Sequence, residues 1–267
     1  MDTRPIGFLD SGVGGLTVIK AVQQQLPKEQ VIFIADQAHL PYGTKTPTEI
    51  TNYVRFLVNF LEKQQVKLIV FACNTATAWA LPTLQAETKI PLIGVIDSGV
   101  QRALAVTQTK KVGVIATPAT IKSDVYAQKI AQLAPQVQTQ SWEMPHFVPL
   151  VEENLYQTAQ AQELVQQDLR QVRTSEIDTL ILGCTHYPLL RPLIAQTLGT
   201  QIKLVDAGVA TVQTLQQYLL DHNLQNSGET KKSDLFYTTG EQEQLTVIAQ
   251  DWLLDPNLTA QKVILPD

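Results

Sequence analysis

Short apolar runs alternate with longer helical patterns along almost the whole chain, and this alternation limits the fold more than any other feature. The runs Ile6–Asp10, Val31–Ala35 and 68–72 are each followed by a stretch whose apolar residues recur every three or four positions. Parallel strands need long crossover connections, which are usually helices. The alternation therefore predicts an α/β fold with parallel sheets covered by helices on both faces.

The same reasoning assigns the rest of the chain. Further strands are predicted at 92–96, Lys111–Ala116, 137–142, 178–183, 202–205, Leu235–Thr238 and 263–265. Helices are predicted at 16–26, 48–61, 159–172, 188–198, 209–220 and 241–254, with Thr48 as a possible cap of the second. One further helix is predicted to begin near residue 75, and another, after Thr120, to end at residue 133. A loop is predicted around Pro145, Pro149 and Glu152, and residues 97–110 receive no assignment.

The pattern repeats itself once along the chain. Cys184 follows Cys73, and Asp206-Ala-Gly-Val209 follows Asp97-Ser-Gly-Val100, at nearly equal spacings. This repetition favours two similar α/β units. The alternative is a chance likeness, because βα units of similar length recur in every α/β fold.

The composition excludes several classes of protein. The 267 residues suffice for one large or two ordinary domains, and the net charge of −5 gives no general basic field for nucleic acid. No apolar run reaches the ~18 residues of a membrane span, and the N-terminus carries no apolar signal core. We expect a cytoplasmic protein that binds neither nucleic acid nor membranes, with reduced cysteines rather than a disulfide.

The two cysteines of the chain occupy matching positions. Cys73 follows the apolar run 68–72, Cys184 follows Thr179–Gly183, and a helical pattern follows each cysteine. The positive end of a helix dipole favours the thiolate, which lowers the thiol pKa from ~8.5 toward the operating pH, where a base is most useful. We expect two reactive thiols; the alternative is two inert buried residues.

Polar residues follow the other predicted strands as well. Ligands of open parallel sheets bind beyond the carboxyl ends of the strands. Asp10 could hold a proton beside one thiol, and His186 beside the other. The strand-end residues together predict a small-molecule site: Asp10, Ser11, Tyr42, Gly43, Asn74, Thr75, Thr117, Thr120, Thr185 and His186.

The glycine-rich segment 10–15 allows a close backbone approach to an anion. Its spacing is not G-x-G-x-x-G, and no G-K-[ST] is present, which argues against a nucleotide. A carboxylate ligand and a purely structural turn both stay open. We expect no metal, because the four histidines and two cysteines lack metal-ligand spacing, and no cofactor, because no lysine is placed for pyridoxal chemistry.

Several segments resemble the cofactor-independent aspartate/glutamate racemase family, in the family's order and over nearly the whole chain. They are Phe8-Leu-Asp-Ser-Gly-Val-Gly-Gly-Leu16, Leu40-Pro-Tyr-Gly43, Ala72-Cys-Asn-Thr-Ala-Thr-Ala78, Phe147-Val-Pro-Leu-Val-Glu152, Leu182-Gly-Cys-Thr-His-Tyr-Pro188 and Phe236-Tyr-Thr-Thr-Gly240. Together these segments are specific, although any one of them alone would not be.

The resemblance implies two pseudo-symmetric α/β/α domains facing a central cleft, one at 1–97 plus 207–267 and the other at 98–206. It implies that Cys73 removes the α-proton from D-glutamate and Cys184 from L-glutamate, each returning a proton from the opposite face. Asp10, His186 and Glu152 would assist the thiols. The substrate contacts would be Asp10, Ser11, Tyr42, Gly43, Asn74, Thr75, Thr185 and His186, and by extension Thr117 and Thr120.

The resemblance further implies that the product, D-glutamate, supplies peptidoglycan synthesis, and we expect a homodimer. Three alternatives stay open. A racemase of aspartate or of another acidic amino acid would differ only in pocket shape. A cysteine hydrolase or lyase would need one thiol and leave the second unused. A two-lobed carboxylate-binding protein would need neither thiol.

Overall fold

The computed structural model describes residues 2–228 and 231–264 and contains two separate parallel sheets. The strands are β1 (Ile6–Asp10), β2 (Val31–Ala35), β3 (Leu68–Phe71), β4 (Leu92–Gly94), β5 (Lys111–Ala116), β6 (Gln138–Glu143), β7 (Thr179–Gly183), β8 (Lys203–Asp206), β9 (Leu235–Thr238) and β10 (Ala260–Lys262). The first sheet has the order β10-β9-β2-β1-β3-β4 and the second β6-β5-β7-β8. The predicted α/β class with parallel sheets is confirmed.

Helices connect successive strands. They are α1 (Leu16–Gln25), α2 (Pro47–Lys63), α3 (Asn74–Trp79), α4 (Leu81–Glu87), α5 (Val95–Val106), α6 (Pro118–Lys122), α7 (Val125–Leu133), α8 (Phe147–Glu152), α9 (Ala159–Asp168), α10 (Arg170–Arg173), α11 (Arg191–Leu198), α12 (Ala207–Asp221) and α13 (Gln242–Leu253). Within the described ranges, every helix is too short or too polar to span a lipid bilayer.

Helices cover both faces of the first sheet. Phe8 and Phe33 point to the face covered by α1, α12 and α13, whereas Leu9 and Ile34 point to the face covered by α2 and α3. Successive residues of a strand face opposite sides, so both sets must be apolar when both sides are covered. This explains why the strands read as continuous apolar runs rather than as alternating ones.

The second sheet lies between β4 and β9 in the sequence, so the chain crosses from one sheet to the other twice. Helices α5 and α12 adjoin these two crossings and pack against each other, where Gly99 allows a close approach to Ala207. The Ser98 and Thr214 hydroxyls are 2.9 Å apart across the same contact. The predicted domain boundaries at 97/98 and 206/207 fall in the first turn of α5 and at the start of α12, and they stay a prediction.

The N-terminus of α2 differs from the prediction, because Thr46 and not Thr48 is the cap. The Thr46 hydroxyl accepts the Glu49 N–H, and the Glu49 carboxylate accepts the Thr46 N–H, which completes a capping box. Pro47 occupies the first helical position, where its missing N–H costs nothing. Thr48 therefore lies inside the helix.

Three other predicted elements differ from the structure in their bounds or their type. The β-branched pair Val95 and Ile96 was assigned to a strand but begins α5, and the loop around Pro149 is helix α8. Pro149 is tolerated because it lies in the first turn, whose N–H groups have no partner within the helix. The last strand ends at Lys262, earlier than predicted, and residue 265 is outside the described residues.

A buried ion pair closes the end of the first sheet opposite the carboxyl ends of its strands. Lys67 Nζ donates to Glu29 Oε2 at 2.6 Å and to the carbonyl oxygens of Asp2 and Leu224. Glu29 Oε1 accepts the N–H of Asn226 at 2.8 Å. One lysine thereby ties the N-terminal segment and the loop after α12 to the sheet.

We expect Lys67→Met to lower the free energy of unfolding by about 3–5 kcal/mol, because it leaves the buried Glu29 carboxylate without a countercharge. Urea denaturation measures this loss. The control is Lys262→Met, which removes an exposed pair with Glu241 and should change stability by less than about 1 kcal/mol. Similar losses in both variants would contradict a structural role specific to Lys67.

Candidate active site

The carboxyl ends of the two sheets face each other across a small cavity of about 170 Å³. Cavities for drug-sized ligands are roughly 300–1,000 Å³, so this one suits a smaller molecule. Its lining contains most of the residues predicted from the sequence: Ser11, Tyr42, Gly43, Cys73, Asn74, Thr75, Thr117, Cys184, Thr185 and His186. A larger open groove of about 810 Å³ runs along α11, β8 and α12, and it contains none of them.

Three predicted residues lie behind the lining rather than in it. Asp10 and Glu152 contact lining residues through hydrogen bonds, and Thr120 does so within a group of threonines. The structure therefore brings all the predicted site residues into one connected region. Their catalytic and binding roles stay predictions.

Cys73 follows β3 and is the N-cap of α3, with its sulfur accepting the Ala76 N–H at 3.4 Å. The helix was expected to lower the thiol pKa. Instead, burial and the nearby Asp10 charge raise the pKa of Cys73 to about 12. Desolvation disfavours the charged form more than the helix stabilises it, so Cys73 is a thiol in this structure.

Asp10 ends β1 and is fully buried. Its carboxylate accepts the Gly12 N–H and the Thr185 hydroxyl, both at 2.9 Å. Burial raises the pKa of Asp10 to about 6, although the charge of His186 and these hydrogen bonds lower it. The Ser11 hydroxyl lies 3.4 Å from Asp10 Oδ1 and 3.5 Å from Cys73 Sγ, so it connects the carboxyl group with the thiol.

Cys184 follows β7 directly, and a short 3₁₀ turn at Tyr187–Leu190 precedes the predicted helix, which begins at Arg191 as α11. Its neighbour is His186, whose Nδ1 lies 3.6 Å from Cys184 Sγ and whose Nε2 lies 2.5 Å from Glu152 Oε1. Burial lowers the pKa of His186, yet the contacts with Cys184 and Glu152 outweigh it and raise this pKa well above its ordinary value. An imidazolium beside Cys184 takes the place of the expected helix dipole.

The glycine-rich segment 10–15 serves close packing. The Val13 N–H donates to Glu152 Oε1 at 3.0 Å, so the anion at this loop is the protein's own carboxylate. A Cβ atom at Gly14 would lie 2.5 Å from His186 Nδ1 and 2.6 Å from Thr185 Oγ1. The turn is therefore structural, and the carboxylate that contacts it belongs to Glu152 rather than to a ligand.

Threonine hydroxyls form the side of the cavity next to Cys73. Thr75 Oγ1 lies 2.9 Å from Thr117 Oγ1 and 3.0 Å from Thr120 Oγ1. The hydroxyls of Thr117 and Thr120 are also 3.0 Å apart. This triangle joins α3, which follows a strand of the first sheet, to α6, which follows a strand of the second.

Tyr42 lines the cavity, but its hydroxyl is directed away from a ligand role. It donates to Asp36 Oδ2 at 2.6 Å, and Asp36 also accepts the Thr239 hydroxyl at 2.7 Å. Burial and the Asp36 charge raise the pKa of Tyr42 well above its ordinary value, so the hydroxyl stays a donor. The segment Phe236-Tyr-Thr-Thr-Gly240 thereby anchors the loop that carries Tyr42 and Gly43.

Sequence reasoning missed several residues of the site. Tyr126 donates to Asn74 Oδ1 at 2.6 Å, and an apolar part of the wall comes from the segment before and within α8. Tyr126 lies within a helical pattern without any polar cluster, so no sequence signal marks it. The missed wall residues are Pro41, Thr44, Pro118, Met144, Pro145, Val148 and Pro149.

Comparison with known proteins gives consistent matches. The profile described as Asp/Glu/Hydantoin racemase matches residues 6–215. The glutamate racemase of Lactiplantibacillus plantarum is 45% identical, over 97% of this chain and 96% of that protein. The crystal structure of glutamate racemase isoform RacE1 from Bacillus anthracis has a TM-score of 0.95 and 36% identity, covering 100% of both chains.

A further solved structure was determined with a ligand. The glutamate racemase of Francisella tularensis in complex with D-glutamate has a TM-score of 0.91 and 34% identity, covering 98% of both chains. The likeness of these structures extends over both sheets of the present chain.

We expect Asp10→Asn to change the pH dependence of stability. A carboxyl group whose pKa is raised on folding stabilises the fold below its unfolded pKa of 3.8, and this contribution is lost as the pH rises through about 6. The stability of the wild type relative to Asp10→Asn should therefore fall by about 2–2.5 kcal/mol from about pH 4 to about pH 7. Urea denaturation at several pH values measures it, and a difference that does not vary with pH would contradict the burial argument.

We expect Gly14→Ala to lower kcat/KM for the reaction proposed below by about a hundredfold or more, because the added Cβ displaces His186 and Thr185. Gly7→Ala is the control. Its Cβ meets only methyl groups of Leu61 and Val66 at 3.2–3.3 Å, at the opposite end of β1, so near-normal activity is expected. Normal turnover by Gly14→Ala would refute the close-packing role.

Proposed function

The chain belongs to the Asp/Glu/hydantoin racemase family, and we propose that it interconverts L-glutamate and D-glutamate by proton transfer between two cysteines. It is therefore an isomerase that acts on an amino acid. One observation carries the proposal: Cys73 and Cys184 come from different sheets and line the same small cavity. An inversion needs a base on one face of a carbon and an acid on the other, and this arrangement supplies both.

The proton transfers follow from this arrangement. Starting from L-glutamate, Cys184 takes the α-proton, the C–H bond breaks and its electrons stay on the α-carbon. Cys73 then donates its own proton to the opposite face, forming D-glutamate, and the roles reverse for the other direction. The buried Cys73 is protonated at rest, so it can act as the acid when the reaction begins with L-glutamate.

The carbanion beside the substrate carboxylate must be stabilised without an imine. Asn74 and Thr75 line the cavity and can donate hydrogen bonds to that carboxylate as its charge grows, whereas the Thr185 hydroxyl already donates to Asp10. Such bonds are stronger in a cavity that excludes water. The substrate contacts proposed are Ser11, Tyr42, Gly43, Asn74, Thr75, Thr117, Thr185 and His186, with Thr120 acting through the threonine triangle.

Asp10 and Glu152 are proposed to assist the thiols indirectly. With a pKa of about 6, Asp10 can gain or lose a proton near neutral pH, and Ser11 connects it with Cys73. Glu152 holds His186 protonated and oriented toward Cys184. Each thiol thus has its own partner, one a carboxyl group and the other an imidazole.

The metabolic setting forms part of the proposal. D-glutamate is proposed to serve peptidoglycan synthesis, and a cytoplasmic location and a homodimer remain predictions. The net charge of −5 is consistent with a protein that handles a small metabolite rather than nucleic acid.

The reaction is tested by incubating the protein with L-glutamate in D₂O without any added cofactor. Two separate bases predict that the D-glutamate formed carries deuterium at the α-carbon, because its new hydrogen comes from a solvent-exchanged thiol. The L-glutamate left early in the reaction should keep protium. NMR and chiral chromatography measure both. Deuterium entering the remaining L-glutamate as fast as the product would indicate one base, and binding without exchange would indicate a receptor.

Single substitutions test the two thiols separately. Cys73→Ala and Cys184→Ala should each abolish racemisation in both directions, by at least about a thousandfold, because each direction needs an acid and a base. Polarimetry measures the rate, and a thermal unfolding midpoint near that of the wild type excludes a folding defect. If either single-cysteine variant interconverts both enantiomers at a near-normal rate, the two-base mechanism is wrong.

A further inference from the structure

A tyrosine on a helix beside the second sheet forms a hydrogen bond with a proposed substrate-binding residue beside the first sheet. Tyr126 lies on α7, and its hydroxyl donates to Asn74 Oδ1 at 2.6 Å. Both side chains are buried, with 3% of each exposed. Asn74 follows Cys73 directly and lines the cavity, whereas Tyr126 does not.

In this structure the hydrogen bond places the oxygen of the Asn74 carboxamide toward Tyr126. A carboxamide has one oxygen that accepts and one nitrogen that donates. Tyr126 occupies the oxygen. In residues 2–228 and 231–264, no fully enclosed side-chain nitrogen or oxygen lacks a partner, and Asn74 Nδ2 donates to no protein atom among them. This nitrogen is therefore open to the cavity.

Tyr126 is itself held firmly. A Cβ atom at Gly183 would lie 3.2 Å from the Tyr126 ring, and one at Gly99 would lie 3.6 Å from its hydroxyl oxygen. The ring thus packs against β7 and α5, where a larger side chain would displace it. Burial raises the pKa of Tyr126 far above its ordinary value, so its hydroxyl remains protonated.

We propose that Tyr126 is a positioning residue that orients the Asn74 carboxamide with its N–H groups toward the substrate carboxylate. This inference rests on the proposed function, because the ligand must present an anion to Asn74. Without Tyr126 the carboxamide can turn by 180°, and its oxygen would then face a carboxylate and repel it. Tyr126 acts only through Asn74, so its contribution should disappear when Asn74 is absent.

A double-mutant cycle tests this dependence. Tyr126→Phe should raise KM for both enantiomers about tenfold and also lower kcat, because the Asn74 hydrogen bond holds the substrate carboxylate and strengthens as its charge grows. Asn74→Ala should lower kcat/KM at least as much, and adding Tyr126→Phe to it should have no further effect. Effects that multiply in the double variant, or an unchanged KM in Tyr126→Phe, would overturn the proposal.

A second variant tests the orientation without removing Tyr126. Asn74→Asp keeps an oxygen that accepts from Tyr126 but replaces the cavity-facing donor with an acceptor, so KM should rise by about a hundredfold. A normal KM would mean that the nitrogen does not face the ligand. Tyr237→Phe is the control for losing a tyrosine hydroxyl, since Tyr237 packs against Phe60 away from the cavity, and it should keep normal kinetics.

The same cycle measured by urea denaturation of the ligand-free protein separates this proposal from the proposed function. A coupling between Tyr126 and Asn74 in stability supports the hydrogen bond whatever the substrate, and no coupling overturns it. A wild-type chain that fails to racemise glutamate would instead refute the proposed function.

Discussion

The hydrogen bond between the Thr185 hydroxyl and the buried Asp10 carboxylate joins the carboxyl ends of the two sheets, and the site depends on it. It keeps the segment after β7 close to the end of β1. The contact between Glu152 and the Val13 N–H adds a second link, and Glu152 in turn holds His186 beside Cys184. The first link ends on Asp10 and the second on Val13, both in the glycine-rich segment 10–15. In the same segment, only glycine at position 14 leaves room for His186 and Thr185.

Burial creates a conflict that the site must resolve during turnover. Excluding water strengthens the hydrogen bonds that stabilise a carbanion, but it also keeps Cys73 in the thiol form, far from a thiolate at neutral pH. The two cysteines need not be equal at any moment, because the reaction requires one acid and one base. The asymmetry of their surroundings, a neutralisable carboxyl group near Cys73 and an imidazolium near Cys184, matches that requirement.

The fold and the principal residues could be predicted because their signals are local. Continuous apolar strands reveal the parallel sheets, and polar residues at strand ends reveal the cavity. Helix α5 was missed because Val95 and Ile96 read as a continuing strand, and α8 because Pro149 reads as a loop. Tyr126 and the high pKa of Cys73 could not be predicted, since both depend on contacts between segments that are distant in sequence.

The position of the second sheet within the chain has a consequence for biosynthesis. Strand β9 pairs with β2, although the ribosome makes β9 only after all four strands of the second sheet. Until β9 emerges, that side of β2 lacks its neighbour, whereas β5–β8 form one uninterrupted stretch that can assemble first. An unpaired apolar strand edge promotes aggregation, so the nascent polypeptide is vulnerable until β9 has been synthesised.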